Sequence, residues 1–437
     1  MNGTEPHPTI TGTVRTMSGT ARLLIFGIFV NNLTAFLNAF LVLFLVHRGF
    51  GTWHAGLALA GLLVGRVFGT AVGGAIADRI GYRWAIAGSM GVGAALIVAL
   101  VHAPSPWVAI AIAAATGLAI QAYVPAAMAW LVELTPRNRQ VMVFAINRLA
   151  FNVGATVGPL VAALLIAYSY DLLFYADAAA SLGFCLIVLT LLPADRARGV
   201  SASEASPASA GSSASASGSP SAGSASAEEA GTGPGTRAGY RRVLADTRFM
   251  LVTAGLFFTA IAYIQMSATL PLFVTGTGHS ERVYAFLLSV NGFVVIALEV
   301  LLSKWTQRLP VGLPMALGMG LLSLGHLLYL PHGGLSLLVI ATAVWTLGEV
   351  VAAPSMMAYP GLVAPPELRG RYIAAATVPQ QLGYAIGPLV GVAAWQLWGS
   401  TVWLITGASA ALAAVLVVAG AGVRRTPARQ PETAVVD

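Results

Sequence analysis

Twelve apolar runs, each about as long as a bilayer is thick, constrain what this chain can fold into. A helix crosses roughly 30 Å of hydrocarbon with about 20 residues. Runs of that kind lie near 22–46, 53–77, 84–103, 106–133, 140–168 and 171–192, then near 249–275, 283–303, 311–330, 334–359, 371–397 and 400–423. Inside hydrocarbon the backbone must satisfy its own hydrogen bonds, and unbroken runs of this length do so as helices. The expected fold is an all-α polytopic membrane protein with 12 transmembrane helices in two six-helix halves, spans 1 to 12.

Composition agrees. The 437 residues are 57% hydrophobic and 9% charged, which excludes a soluble enzyme of this size. A formal charge of +7 would suit a nucleic-acid partner, but the placement of the basic residues explains it otherwise. With both termini inside, 19 of the 23 Lys and Arg fall in cytoplasmic segments, Arg48 and Arg282 fall outside, and Arg66 and Arg148 fall within spans. The expected layout is a cytoplasmic tail (1–21), a first half (22–192), a cytoplasmic linker (193–248), a second half (249–423) and a cytoplasmic tail (424–437). Ser201 to Thr236 is almost wholly Ser, Ala, Gly and Pro, with too little apolar surface to pack. No cleavable signal pattern precedes the first run, and the single cysteine, Cys185, offers neither a disulfide nor a metal cluster. The expected setting is a bacterial-type inner (plasma) membrane.

Gly61, Gly65, Gly69 and Gly73 fall four residues apart and form a bare ridge on span 2. Span 5 carries a similar ridge at Gly154, Gly158 and Ala162, and span 11 another at Gly383, Gly387 and Gly391. These ridges are expected to meet where the halves face each other; ordinary helix packing is the competing reading. Pro125, Pro136, Gly154, Gly158 and Pro159 recur 229 residues later as Pro354, Pro365, Gly383, Gly387 and Pro388. Such a parallel duplication implies a pseudo-two-fold axis along the membrane normal and a midplane site between the halves. Pro159 and Pro388 are expected to bend their helices.

Gly74, Ile76, Asp78, Arg79, Gly81 and Arg83, in the turn after span 2, resemble the signature of the major facilitator superfamily, with Tyr82 where a basic residue is usual. Gly154, Gly158 and Pro159 are similar to the antiporter motif of its 12-helix drug:proton antiporter (multidrug efflux) branch, with Ala162 and Ala163 in place of glycines. The arginine that many such exporters carry on span 4 is absent: Ala113 precedes Gly117. The loop after span 8 keeps only Lys304 and Arg308 of the signature. The resemblance implies alternating access, a gating role for Asp78, Arg79 and Arg83 bridging span 2 to span 11, and a monomer.

Charge inside hydrocarbon is costly, so each charged residue there is a functional candidate. Glu349, in TLGEVVAAP, is the deepest carboxylate and is read as a proton-coupling residue or as half of an ion pair that locks the bundle. Glu299, Asp177 and Arg148 are further coupling candidates, Glu299 being the more structural and Asp177 a weak one for proton uptake. Arg66 and Arg148 either face the cavity or pair permanently with Glu133 or Asp78. Candidate cavity residues are Asn31, Asn32, Thr34, Phe36 and Asn38 on span 1, Arg66, Asn152, Tyr263, Gln265, Met266 and Asn291. Neutral polar groups beside apolar ones suit an amphiphilic ligand, and interhelical polar contact is the alternative. His326 on span 9 is expected to be peripheral packing.

Neither a Gly-x-x-x-x-Gly-Lys phosphate loop nor a His-Glu-x-x-His occurs, and no nucleophile and base pair stands out. A non-enzymatic transporter is expected, with no cofactor or metal and the proton gradient as its energy source. The leading expectation is proton-coupled export of small amphiphilic compounds. Proton-linked uptake of a nutrient, or a non-transporting membrane sensor or scaffold, are the alternatives.

Overall fold

The computed structural model describes residues 17–136, 139–193, 234–306, 308–331 and 333–422. The expected linker through 233, most of the N-terminal tail and the C-terminal tail lie outside them. The first half comprises α1 (Gly19–Leu33), α2 (Phe36–His47), α3 (Thr52–Ile80), α4 (Tyr82–Val101), α5 (Pro106–Glu133), α6 (Gln140–Ile166) and α7 (Tyr170–Leu191). Next comes α8 (Pro234–Ala245), a short helix within the stretch expected to be linker. The second half comprises α9 (Thr247–Tyr263), α10 (Gln265–Ala268), α11 (Leu270–Gly276), α12 (Glu281–Thr306), α13 (Gly312–Leu327), α14 (Leu335–Val363), α15 (Arg369–Trp398) and α16 (Val402–Ala421). Among the described residues ten stretches are long and apolar enough to cross a membrane, the last containing both α15 and α16; α13 is a shorter apolar helix of 16 residues. An apolar helix thus lies at each of the twelve expected positions. Large apolar side chains such as Phe68, Leu164 and Phe293 cover the outside, the arrangement a lipid solvent requires.

The glycine ridges pack differently from expectation. A Cβ on Gly65 would overlap the Ala114 carbonyl oxygen of α5, one on Gly69 the Leu118 carbonyl and one on Gly73 the Ala122 carbonyl. The α3 ridge therefore meets α5, inside the first half, and Gly117 of α5 returns the contact against Leu62. Gly154 and Gly158 of α6 pack on Phe29, Asn32 and Leu33 of α1, again within the half. In the second half Gly383 and Gly387 of α15 pack on Phe257, Ala260, Ile261 and Ile264. These two contacts are repeat-related, as the sequence duplication requires. Without a hydrophobic drive between helices in lipid, close backbone approach is what holds neighbours together, and it does so within each half.

The helices run on through Pro159 and Pro388. The interruptions fall instead in spans 1 and 7, at Thr34–Ala35 and again at Ile264 and Thr269. Each break frees backbone groups that hydrocarbon cannot satisfy. Asp177 of α7, 3% exposed, answers the first by accepting from the Leu37 N–H at 3.2 Å. It acts as an N-cap for α2 supplied from another helix. Gln265 answers the second, donating to the carbonyls of Ile261 (2.7 Å) and Gly387 (2.9 Å). Thr406 stands 229 residues after Asp177, so the carboxylate cap belongs to the first half alone.

Gly69→Leu is expected to lower the melting temperature in detergent, overpacking of this kind costing about 1–3 kcal/mol. Gly88→Ala, where an added Cβ meets nothing within 4 Å, is expected to leave it unchanged or slightly raised. Asp177→Ala is expected to cost about 1–2 kcal/mol through the lost cap, and Asp177→Asn, which keeps an acceptor oxygen, much less.

Candidate functional site

Between the halves lies an open cleft of about 670 Å³, part of it continuous with solvent, lined from the first half by Asn38, Leu63, Arg66, Val67, Thr70 and Gln121. Tyr263, Ile264, Met266, Ser267, Gln381 and Tyr384 line it from the second. The two broken spans deliver part of this lining: Asn38 follows the interruption in span 1, and Tyr263 to Ser267 surround the first one in span 7. Arg66 of α3 donates through Nε to Gln121 Oε1 at 2.9 Å and through Nη1 to Asn38 Oδ1 at 3.4 Å. Both acceptors are neutral, so they orient the guanidinium without cancelling its charge.

Glu349 of α14 lies behind the opposite wall. Tyr263 donates its hydroxyl to Oε1 at 3.0 Å, and Asn291 of α12 donates to Oε2 at 3.2 Å. The Asn291 amide also reaches Thr346 Oγ1 at 3.0 Å. Tyr263 packs edge-on against Trp345 and Tyr384, with ring centroids at 6.3 and 6.0 Å. Tyr263 is therefore both a wall of the cavity and a ligand of the carboxyl. A smaller cavity on its other side is bounded by Met266, Leu270, His326, Tyr329, Trp345 and Trp403. His326 is thus buried beside the site rather than peripheral, its ring edge-on to Trp403.

The halves touch through a different set of contacts. Arg148 of α6 forms an ion pair with Glu299 of α12, and Asn152 donates to the other oxygen of Glu299 at 3.3 Å. Arg148 therefore has an ion pair in the other half, a partner that neither the cavity-facing reading nor the pairing with Glu133 or Asp78 had named. Taking the end of the bundle at which α1 begins and α16 finishes as the terminal end, the opposite, far end is closed. There the Tyr284 hydroxyl lies 2.9 Å from the Ala39 carbonyl and 3.1 Å from that of Met266, and its ring packs on Phe40. Gly56 sits against Val392, and Thr52 bonds to Gln396. Closer to the terminal end, Val67 and Thr70 of α3 and Gln381 and Tyr384 of α15 stand apart and face the cavity.

At the terminal end Gly81 turns the chain between α3 and α4 with φ of 85°, a conformation side chains resist. Gly74 precedes this turn by two helical turns. Arg83 reaches back to the carbonyls of Val188 and Leu189 on α7. Asp78 and Arg79 are exposed, and among the described residues neither forms an ion pair. The bridge expected from span 2 to span 11 is not made in this conformation.

Of the expected cavity residues, the structure brings Asn38, Arg66, Tyr263 and Met266 to the cavity wall. Asn31 turns away and donates to Ser181 and to the Met90 sulfur. Asn32 and Thr34 bond carbonyls of their own helix, and Phe36 is core. Gln265, Asn152 and Asn291 hold helices together rather than line the space. Asp177 caps a helix. Gln121, Thr70, Gln381 and Tyr384 were not anticipated as lining. Gln121 is a lone amide in an apolar span, and Tyr384 adjoins a ridge glycine, which is the signal that would have found them.

A family model described as Major Facilitator Superfamily matches residues 24–331 and 275–435. An uncharacterized MFS-type transporter of Bacillus subtilis (strain 168), YqjV, is 24% identical over 81% of this chain and 80% of its own. A Na(+), Li(+), K(+)/H(+) antiporter of Planococcus maritimus is 24% identical over 82% and 86%. The multidrug resistance protein MdtH of Salmonella newport (strain SL254) is 23% identical over 73% and 72%. Among solved structures, a peptide transporter POT in complex with sulfate superposes with a TM-score of 0.71 at 15% identity, covering 95% of this chain and 96% of that one. A point mutant of the nucleoside transporter NupG superposes with the same score and identity, covering 92% and 99%. A multi-pass helical bundle, a central cavity between two halves and a family match along the chain lead to one statement: the protein is a non-enzymatic membrane transporter that belongs to the Major Facilitator Superfamily.

Proposed function

We propose that the protein exports small amphiphilic compounds in exchange for protons by alternating access. The observation that carries this reading is the contact between Glu349 and Tyr263, because it joins a carboxyl set among apolar helices to a side chain that faces the cavity. An ionised Glu349 holds the Tyr263 hydroxyl and the Asn291 amide; protonation removes one acceptor and weakens that hold. Tyr263 is then free to meet cargo, and cargo that engages Tyr263 changes the proton affinity of Glu349. The two events are linked because each alters the same hydrogen bonds.

The distribution of the basic residues supports a cytoplasmic terminal end. On that reading the conformation described above is sealed on the outside, with Tyr284, Gly56 and Gln396 at the seal. Opening outward requires α3 and α15 to approach at the cytoplasmic end, which brings Asp78 and Arg79 toward α15. The Arg148–Glu299 pair sits between the halves and serves as a contact about which they rock. The names of two relatives, a multidrug resistance protein and a cation/H(+) antiporter, support export and proton exchange. A cavity completed within one chain supports a monomeric working unit.

Purified protein in liposomes with an imposed pH gradient is expected to show compound-dependent proton flux. Glu349→Gln is expected to reduce it by about tenfold or more, and Tyr263→Phe by a smaller factor, while equilibrium binding persists. Undiminished flux in Glu349→Gln removes the assigned role. A charge swap offers a separate check on rocking. Glu299→Arg is expected to impair transport through repulsion with Arg148, and the double variant Arg148→Glu/Glu299→Arg to recover much of it, as read by the same flux assay.

A further inference from the structure

Within the proposed exporter, we infer that the cargo is an amphiphilic organic acid whose carboxylate is received by Arg66. Among the described residues Arg66 is the one charged member of the cavity lining, which otherwise carries amides, hydroxyls and apolar groups. No carboxylate among them reaches its guanidinium; its partners are the neutral oxygens of Gln121 and Asn38. These two bonds occupy Nε and one Nη, and leave further N–H donors of the planar fork for a ligand. A cation held in a largely apolar membrane cavity without a counter-charge is costly, and a cargo carboxylate supplies that counter-charge on binding.

The rest of the wall describes the body of the cargo. Leu63, Val67, Ile264 and Met266 offer apolar surface, and the edge-to-face pair Tyr263 and Tyr384 stands on the side opposite Arg66. A small aryl or alkyl body would rest against this surface. A free inorganic anion would use the guanidinium and leave this surface unfilled. An amphiphilic cation would meet Arg66 as a like charge.

The test is an equilibrium binding measurement on the full chain in lipid nanodiscs, with 4-phenylbutyrate, 4-phenylbutyramide and 4-phenylbutylamine as probes matched in shape and differing in charge. Calorimetric titration and ligand-induced thermal shift are expected to show the acid binding about tenfold tighter than the amide or the amine, the size of one charge-assisted contact. Arg66→Gln is expected to erase that preference, and Arg66→Lys to keep part of it. Equal or tighter binding of the amide or amine, no binding of the acid, or an unchanged preference in Arg66→Gln overturns the inference. Acetate binding as tightly as 4-phenylbutyrate assigns the site to a free anion and also overturns it. Should Arg66→Gln fail to fold, the Lys variant decides by whether the acid's advantage falls. Because binding is read without a gradient, loss of proton coupling in Glu349→Gln and loss of acid preference in Arg66→Gln are separate failures.

Discussion

The structure depends on carbonyl oxygens occupying places where side chains would ordinarily stand. Ala114, Leu118 and Ala122 of α5 present their backbone oxygens to Gly65, Gly69 and Gly73 of α3, and no residue larger than glycine fits there. Lipid supplies no hydrophobic drive for helices to associate, so dispersion at this close range carries the cohesion. Because the α3–α5, α1–α6 and α9–α15 contacts all lie inside one half, each half is a compact unit. Between the halves, beside the close approach of Gly292 on α12 to Thr156 on α6, stand polar contacts that can exchange: an ion pair, a tyrosine at a carbonyl, an amide at a hydroxyl. Strong contacts within and exchangeable contacts between are the conditions for two bodies that rock.

The duplication is faithful in backbone and unfaithful in charge. The break in span 1 recurs in span 7, and the ridge of α6 recurs in α15. Yet Asp177 has Thr406 as its counterpart, and Arg66 on one wall of the cavity faces a wall backed by Glu349. Symmetry gives the motion, since related halves offer related interfaces. On the proposed mechanism asymmetry gives the chemistry, since a proton site and an anion site need different residues.

Much of the fold was legible in the sequence because length and apolarity suffice to mark spans, and because five small or cyclic residues repeat at one offset. The destination of the ridges was not legible. Spacing four identifies a bare face, but which neighbour it meets depends on helix order in space, and Gly65 chose α5 over α6 or α15. Two of the breaks were equally hidden, because neither Thr34–Ala35 nor Ile264 has a proline beside it, whereas Pro271 follows the break at Thr269. For the site, polarity in a span found Asn38, Arg66 and Tyr263 but could not separate them from Asn31 or Gln265. A buried amide that bonds a neighbouring helix and one that faces a cavity look alike until the partner helix is placed.

Tyr263 touches two spaces and one carboxyl, and this placement has a kinetic consequence. Rotating one phenol is orders of magnitude faster than moving one half of the protein against the other. On the proposed mechanism, proton exchange at Glu349 therefore reaches equilibrium within each conformation before the halves move. The ring sets the protonation state and the slow step only reads it, so leak and coupling become questions of side-chain timing at a single residue.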